Sequence, residues 1–203
     1  RKKEQKQKRI KQLTWITIAI VAVIAIVALF VTPKTSAVQF PYEDLQKEET
    51  RQTKQTSLLP EGEYEGMFGD EKTGLMYVLC KECKQDRENV SGYILSTKDG
   101  IKLSGTFQLN VAQIEEKAGK IKKGFRPSAL AKNPVTEEWY ILSSANKLLV
   151  IADSNWQIIK TTALDAQMHS QPEGIAFDTE GNLYISNEGK NKHPGNILRF
   201  DRK

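Results

Sequence analysis

The chain has 203 residues, 27% of them charged and 39% hydrophobic, with a formal charge of +5. That charge is unevenly placed: residues 1–12 carry seven Lys and Arg against one Glu, and the remaining 23 basic and 24 acidic residues leave everything after them at −1. A basic pI that comes from one terminal tail is not the footprint of a nucleic-acid surface, and nucleic acid is not expected as a partner.

From Leu13 to Val31 no residue is charged, and Ile, Val, Ala, Leu, Phe and Trp dominate. Those 19 residues make roughly 28 Å of helix, close to the roughly 30 Å hydrocarbon core of a bilayer. The run reads as an uncleaved transmembrane anchor. A cleaved signal peptide ending near "TSA" (Thr35 to Ala37) and a buried core helix are the alternatives. The basic flank places residues 1–12 in the cytoplasm and everything after Val31 outside it. The expected setting is therefore a membrane, with an extracytoplasmic C-terminal domain. Residues 32–60 turn polar ("QKEETRQTKQTS") and read as a linker, leaving 61–203 as the outer domain.

In that domain short apolar runs alternate with turn residues. The first set is Gly66 to Phe68, Leu75 to Leu79, Val90 to Ser96 and Ile101 to Leu109, with "TKDG" as a hairpin turn. Cys80 and Cys83 form a lone C-x-x-C just after its second strand. A zinc site needs further ligands than one pair, so with an export signal upstream a local disulfide is the simplest reading; free thiols, metal and redox chemistry are the others. "NVAQIEEKAGKIKKG" follows as an inserted short helix, with Asn110 and Gln113 as a capping box.

The second set is Ala129 to Lys132, Trp139 to Ser143, Lys147 to Ala152 and Trp156 to Thr162. The third is Gly174 to Phe177, the turn "DTEG", Leu183 to Ser186 and Asn196 to Phe200. "DTEGN" at Asp178 to Asn182 lacks the spaced acidic set of a calcium loop and reads as a hairpin turn. Each set opens on the same frame: Glu65–Gly66, Ser128–Ala129 and Glu173–Gly174. Gly174 lies 45 residues after Ala129, which lies 63 after Gly66, the excess being the inserted helix. Short antiparallel strands repeating at this period predict an all-β fold of β-propeller blades. Three blades do not close a ring, so their open faces invite self-association. Trp139, Tyr140, Tyr184 and Phe200 are expected to pack between blades, and His169 and His193 to lie at the surface.

"YEGMFGDEKTGLMYVLCKE", "RPSALAKNPVTEEWYILSSANKLLVIADSNW" and "QPEGIAFDTEGNLYISNEGKNKHPGNILRF" resemble the third, fourth and fifth blades of the SdiA-regulated (YjiK-like) family of bacterial proteins. The resemblance implies a basic tail, one anchor in the bacterial inner membrane and a periplasmic or extracytoplasmic five-bladed propeller distantly related to NHL repeats. Two earlier blades of the family have no counterpart between the anchor and Tyr64. The resemblance also implies calcium on the propeller. Glu65 and Glu173, at equivalent blade entrances near the axis, are the first ligand candidates; Glu188 and Glu82 come next, and Asn187 adds a carbonyl oxygen. The competing reading makes Glu-Gly a structural device, the glycine avoiding a crowded axis and the glutamate accepting hydrogen bonds.

For catalysis the inventory is thin: no G-x-S-x-G elbow and no phosphate-binding glycine loop is present. A binding or scaffolding protein with an unidentified protein or small-molecule ligand is the expected function. The alternative is a calcium-dependent lactonase or esterase-like hydrolase, by analogy with other propellers.

Overall fold

Alternating and doubly apolar strands dictate the architecture. A computed structural model describes residues 58–84, 86, 88–121, 124–189 and 194–203. The tail, the expected anchor at 13–31, nearly all of the linker and His193 lie outside these residues. Among the described residues no helix is long and apolar enough to cross a membrane.

Eleven strands form three antiparallel sheets among the described residues. The first is a meander of β1 (Gly62–Asp70), β2 (Leu75–Cys83), β3 (Asn89–Ser96) and β4 (Lys102–Asn110). The second contains β5 (Ala129–Lys132), β6 (Trp139–Ser143), β7 (Leu148–Ala152) and β8 (Ile158–Ala163), again in chain order. The third has β9 (Pro172–Phe177), β10 (Leu183–Asn187) and β11 (Asn196–Phe200), with β10 in the middle. The three expected strand sets are thus present as sheets of four, four and three strands, an all-β arrangement consistent with propeller-like blades and, among the described residues, not closed into a ring. Both central strands of the second sheet are buried on both faces, as "WYILS" and "LLVIA" require, whereas β8 ("IIKTTA") exposes most of its length as an edge should.

The sheets join through two unlike cores. Between the first and second, Leu79, Leu109, Ile114, Leu130, Trp139, Ile141 and Val150 form one buried cluster. Trp156 stacks on Trp139 with ring centroids 4.4 Å apart and on Phe107 at 3.5 Å, and Tyr77 and Phe68 meet Trp139 at 4.5 and 5.4 Å. Phe107 lies over Gly92, where an added Cβ would come within 2.1 Å of the ring. Only glycine leaves room for that aromatic. Trp156 has φ +64°, a left-handed backbone stabilised by Asp153, whose carboxylate accepts from the backbone N–H groups of Asn155 (2.8 Å) and Gln157 (2.9 Å). Between the second and third sheets the cluster is smaller: Ala129, Leu142, Leu149 and Ile185, with Tyr140 packing edge-on to Phe177 at 4.8 Å.

The inserted helix α1 (Val111–Ala118) starts as expected, with Asn110 Oδ1 accepting from the Gln113 backbone N–H at 3.1 Å. The capping box is only half formed. Gln113 turns outward to the second sheet, donating to Gln157 Oε1 (3.0 Å) and accepting from the Ile158 N–H (3.2 Å), while Ile114 is fully buried below. The helix thereby straps the first sheet to the outer edge of the second.

Two expectations need correction. Phe200 is 38% exposed because β11 is an edge strand of the third sheet; His169 stacks on its ring at 6.0 Å. His169 is only 5% exposed, held beneath that ring and against the Asp165 carbonyl. Tyr184 is partly buried and spends its hydroxyl on Asp178 at 3.2 Å. That carboxylate also accepts from the N–H groups of Glu180 and Asn182 and from the Asn182 amide, so "DTEGN" is a turn around Asp178. The hydrogen bonds from Asn182, foremost among these donors, outweigh burial and hold the Asp178 carboxyl below its ordinary pKa.

Candidate functional site

The three equivalent blade entrances meet. Glu65, Ser128 and Glu173 line one cavity of about 290 Å³, together with Lys81, Arg126, Lys147, Ser144, Ser170 and Gln171. Local chain geometry brings them there. At the first entrance β1 carries register shifts between Glu63 and Tyr64 and between Tyr64 and Gly66, so Glu65 sits in a bulge. Gly66 follows because the second sheet is close: a Cβ there would stand 3.4 Å from the Ala129 carbonyl carbon and 3.3 Å from Leu79. At the third entrance a Cβ on Gly174 would meet Ser186 Oγ at 2.3 Å. The crowding half of the structural reading of Glu-Gly therefore holds at Gly66, where the neighbours are the second sheet's backbone and Leu79, whereas at Gly174 the neighbour is a hydroxyl of the same sheet that can rotate away.

Ser128, which stands where the other two repeats have glutamate, is 5% exposed and fully employed. Its hydroxyl donates to the Pro172 carbonyl at 3.0 Å, beside the third entrance, and accepts from the Ser144 N–H at 3.2 Å. It is a link between the second and third sheets.

The wall of this cavity is charged on both sides. Lys81 donates to Glu65 at 2.5 Å and lies 3.7 Å from Glu63. The hydrogen bond with Glu65 is the main cause that raises the Lys81 pKa above its ordinary value. Arg126 pairs with Glu82 and lies 3.6 Å from Glu63. Its backbone is set by Asn146, whose Oδ1 accepts the Arg126 N–H at 2.9 Å and whose amide donates to the Gly124 carbonyl at 3.1 Å. Ser143 donates to the Arg126 carbonyl at 2.6 Å, completing a polar clamp on that segment. Lys147, with φ +49°, donates to the Ser170 carbonyl at 2.7 Å. Among the described residues neither Lys147 nor Glu173 has an ion-pair partner.

The expected calcium ligands are distributed unevenly over this arrangement. Glu65 and Glu173 share the cavity, and Glu188 reaches its edge by accepting a hydrogen bond from Gln171. Glu82 lies within β2 instead of after it, and faces Arg126. Asn187 is 5% exposed; its amide donates to Asn196 Oδ1 at 2.8 Å, and its own Oδ1 has no hydrogen-bond partner among the described residues. That oxygen is a donor a cation accepts. The four carboxylates do not supply three ligand atoms within 4.8 Å of one another, so the described residues do not form a ready calcium cage.

Lys81, Arg126 and Lys147 are site residues that the sequence reading missed. The signal for Lys81 was available: it is one of the two residues enclosed by the C-x-x-C, whose sulfurs are bonded to each other as expected. The bridge closes the end of β2 itself, opposite the bulge in β1, and not a loop beyond the strand.

The sequence model of one family matches residues 101–192, which run from the start of β4 through the third entrance. The family is SdiA-regulated. The resemblance carried by the blade sequences is therefore found over that SdiA-regulated stretch. No curated protein matches the chain. Among solved structures, a protein of unknown function from Bacteroides caccae is 14% identical, with a TM-score of 0.45 over 70% of this chain and 48% of that one. A luciferin-regenerating enzyme is 11% identical, with a TM-score of 0.44 over 68% of this chain and 44% of that one. The chain thus covers less than half the length of either.

Proposed function

We propose that this is a membrane-anchored, extracytoplasmic binding protein of the propeller type, held by residues 13–31, that takes a small polar ligand at the three blade entrances. The observation that carries this reading is the convergence of Glu65, Ser128 and Glu173, equivalent in the repeat, on one cavity. Of the charges on its wall, Glu65, Lys81 and Arg126 are paired, which leaves Lys147 and Glu173 to meet opposite charges on a ligand. A zwitterion such as an amino acid or a short peptide fits that pattern, because each unpaired charge gains a charge-assisted hydrogen bond. Calcium is the second ligand of the proposal. To use Glu65 and Glu173 together it has to draw Glu65 away from Lys81, against the repulsion of three cationic side chains, so weak binding is expected.

A hydrolase reading finds less support. The described histidine, His169, is buried under Phe200 and is not on the cavity wall, and Ser128 spends its hydroxyl on backbone groups. Self-association belongs to the same proposal, with Met67 (62% exposed) and Ile197 (72% exposed) as apolar contacts on the first and last sheets.

The test is a thermal melt of the full chain with amino acids, dipeptides and calcium, repeated for Glu173→Gln and Lys147→Gln. The expected result is a rise in Tm with a zwitterionic ligand that both substitutions abolish. A rise that survives both substitutions, or no rise with any ligand, contradicts the proposal. Chelator-sensitive hydrolysis of lactones or aryl esters would favour the enzyme instead.

A further inference from the structure

We propose that Cys80, Cys83 and Asp86 form a second, redox-gated site that takes a thiophilic divalent cation, zinc in the first instance, once the disulfide is reduced. The two sulfurs and an Asp86 carboxylate oxygen all lie within 4.8 Å of one another. Ligand atoms on one tetrahedral zinc, with zinc–sulfur bonds of about 2.3 Å, stand about 3.8 Å apart, so the two sulfurs, joined in the disulfide, have to part on reduction to reach that spacing, with the Asp86 oxygen already within reach. The spacing C-x-x-C-x-x-D supplies the third ligand that a lone C-x-x-C lacks.

Two further features favour a site over a chance cluster. Asp86 is oriented by Ser91, whose N–H and hydroxyl donate to its two oxygens at 3.0 and 2.5 Å, as outer-shell donors orient metal-bound carboxylates. Cys83 and Asp86 also line a cavity of about 490 Å³, which shares Lys81 and Arg126 with the ligand cavity above and leaves a coordination position open to water. Cys80 is fully buried and Cys83 is 6% exposed, so the attack that opens the bridge comes from this side, at Cys83.

The chemistry balances with a dithiol as reductant. Its thiolate attacks the Cys83 sulfur, the sulfur–sulfur bond breaks, and Cys80 leaves as a thiolate and is protonated. The second thiol of the reductant then displaces Cys83 and closes the reductant's own disulfide. Two electrons reach the protein as two thiols. Zinc binding replaces their protons, which pass to solvent, and Asp86 completes a three-ligand set. Lys81 and Glu82 lie between the two cysteines and hold Glu65 and Arg126, so exchange of disulfide for metal acts on the charged wall of the ligand cavity.

The full chain, reduced with a phosphine and freed of excess reagent, is titrated with cadmium, read by thiolate-to-cadmium absorbance, and with zinc by calorimetry. One ion per chain is expected for reduced protein and none for oxidised protein. Cys80→Ser with Cys83→Ser should abolish binding, and Asp86→Asn should weaken it by about tenfold or more. Should the cysteine variants fail to fold, Asp86→Asn decides. The proposal is overturned if the reduced chain, with an unchanged circular dichroism spectrum, takes up no ion, or if Asp86→Asn binds as tightly as the parent.

Discussion

The joint between the first and second sheets and the joint between the second and third are built from different material. The first is apolar and aromatic, with Phe68, Tyr77, Phe107, Trp139 and Trp156 linked through ring contacts above a floor of Leu and Ile, and α1 straps it from outside. The second has four buried aliphatic residues and leans on the Ser128 hydroxyl for its link to Pro172. Large apolar areas are costly to separate, whereas a joint of a few contacts and a hydrogen bond opens at lower free energy. The difference teaches where the proposed ligand cavity can adapt: Lys81 and Glu65 stand on the firm side, and Glu173 on the yielding one.

Breaking the firm joint should cost most. Trp139→Ala removes a side chain that is 3% exposed and touches three other rings and the Lys132 ammonium, with an expected loss of about 3–5 kcal/mol in a denaturant melt. Ile185→Ala in the lesser joint should cost about 2–3 kcal/mol, near the low end for buried aliphatics, since the last sheet can settle into the space. A loss equal to that of Trp139→Ala would erase the contrast between the joints.

Ser128→Ala sharpens the comparison without emptying the core. It leaves the half-buried Ser144 N–H without its hydroxyl partner and the Pro172 carbonyl without its donor, and about 1 kcal/mol is expected. Ligand binding should weaken with it, because the third entrance loses its tie to the second.

The smallest effect expected is on pH. The folded Lys81 pKa is raised by its hydrogen bond to Glu65, so this pair stabilises the fold fully below the ordinary Lys pKa of 10.5 and loses that contribution as pH rises through the higher folded value. Tyr64, pushed up to about 12 by burial and by Tyr93 and Asp86, acts in the same direction over the same range. Stability should fall above about pH 10, and fall less steeply in Lys81→Met; equal slopes would dissociate Lys81 from the fold's alkaline limb.

Much of the architecture was legible in the sequence. β-branched runs separated by "TKDG" and "DTEG" located the strands to within a few residues, because period-two burial and turn chemistry are local properties. The equivalence of Glu65, Ser128 and Glu173 was legible as the shared frame of the three strand sets, but that Ser128 joins the two glutamates on one cavity was not. What escaped depends on distant chain. Lys81 reaches Glu65 only through the bulge in β1, Arg126 is placed by Asn146 from another loop, and the exposure of Phe200 follows from what covers an edge strand. Tertiary neighbours set these, and no local pattern encodes them.

Native-state hydrogen exchange on the full chain tests the central contrast most directly. The amides of β2, β3, β6 and β7 should exchange only through global unfolding, while those of β9, β10 and β11 exchange through a smaller opening that ligand at the cavity suppresses. Uniform protection across all three sheets, or earlier opening of the aromatic joint, would contradict the account.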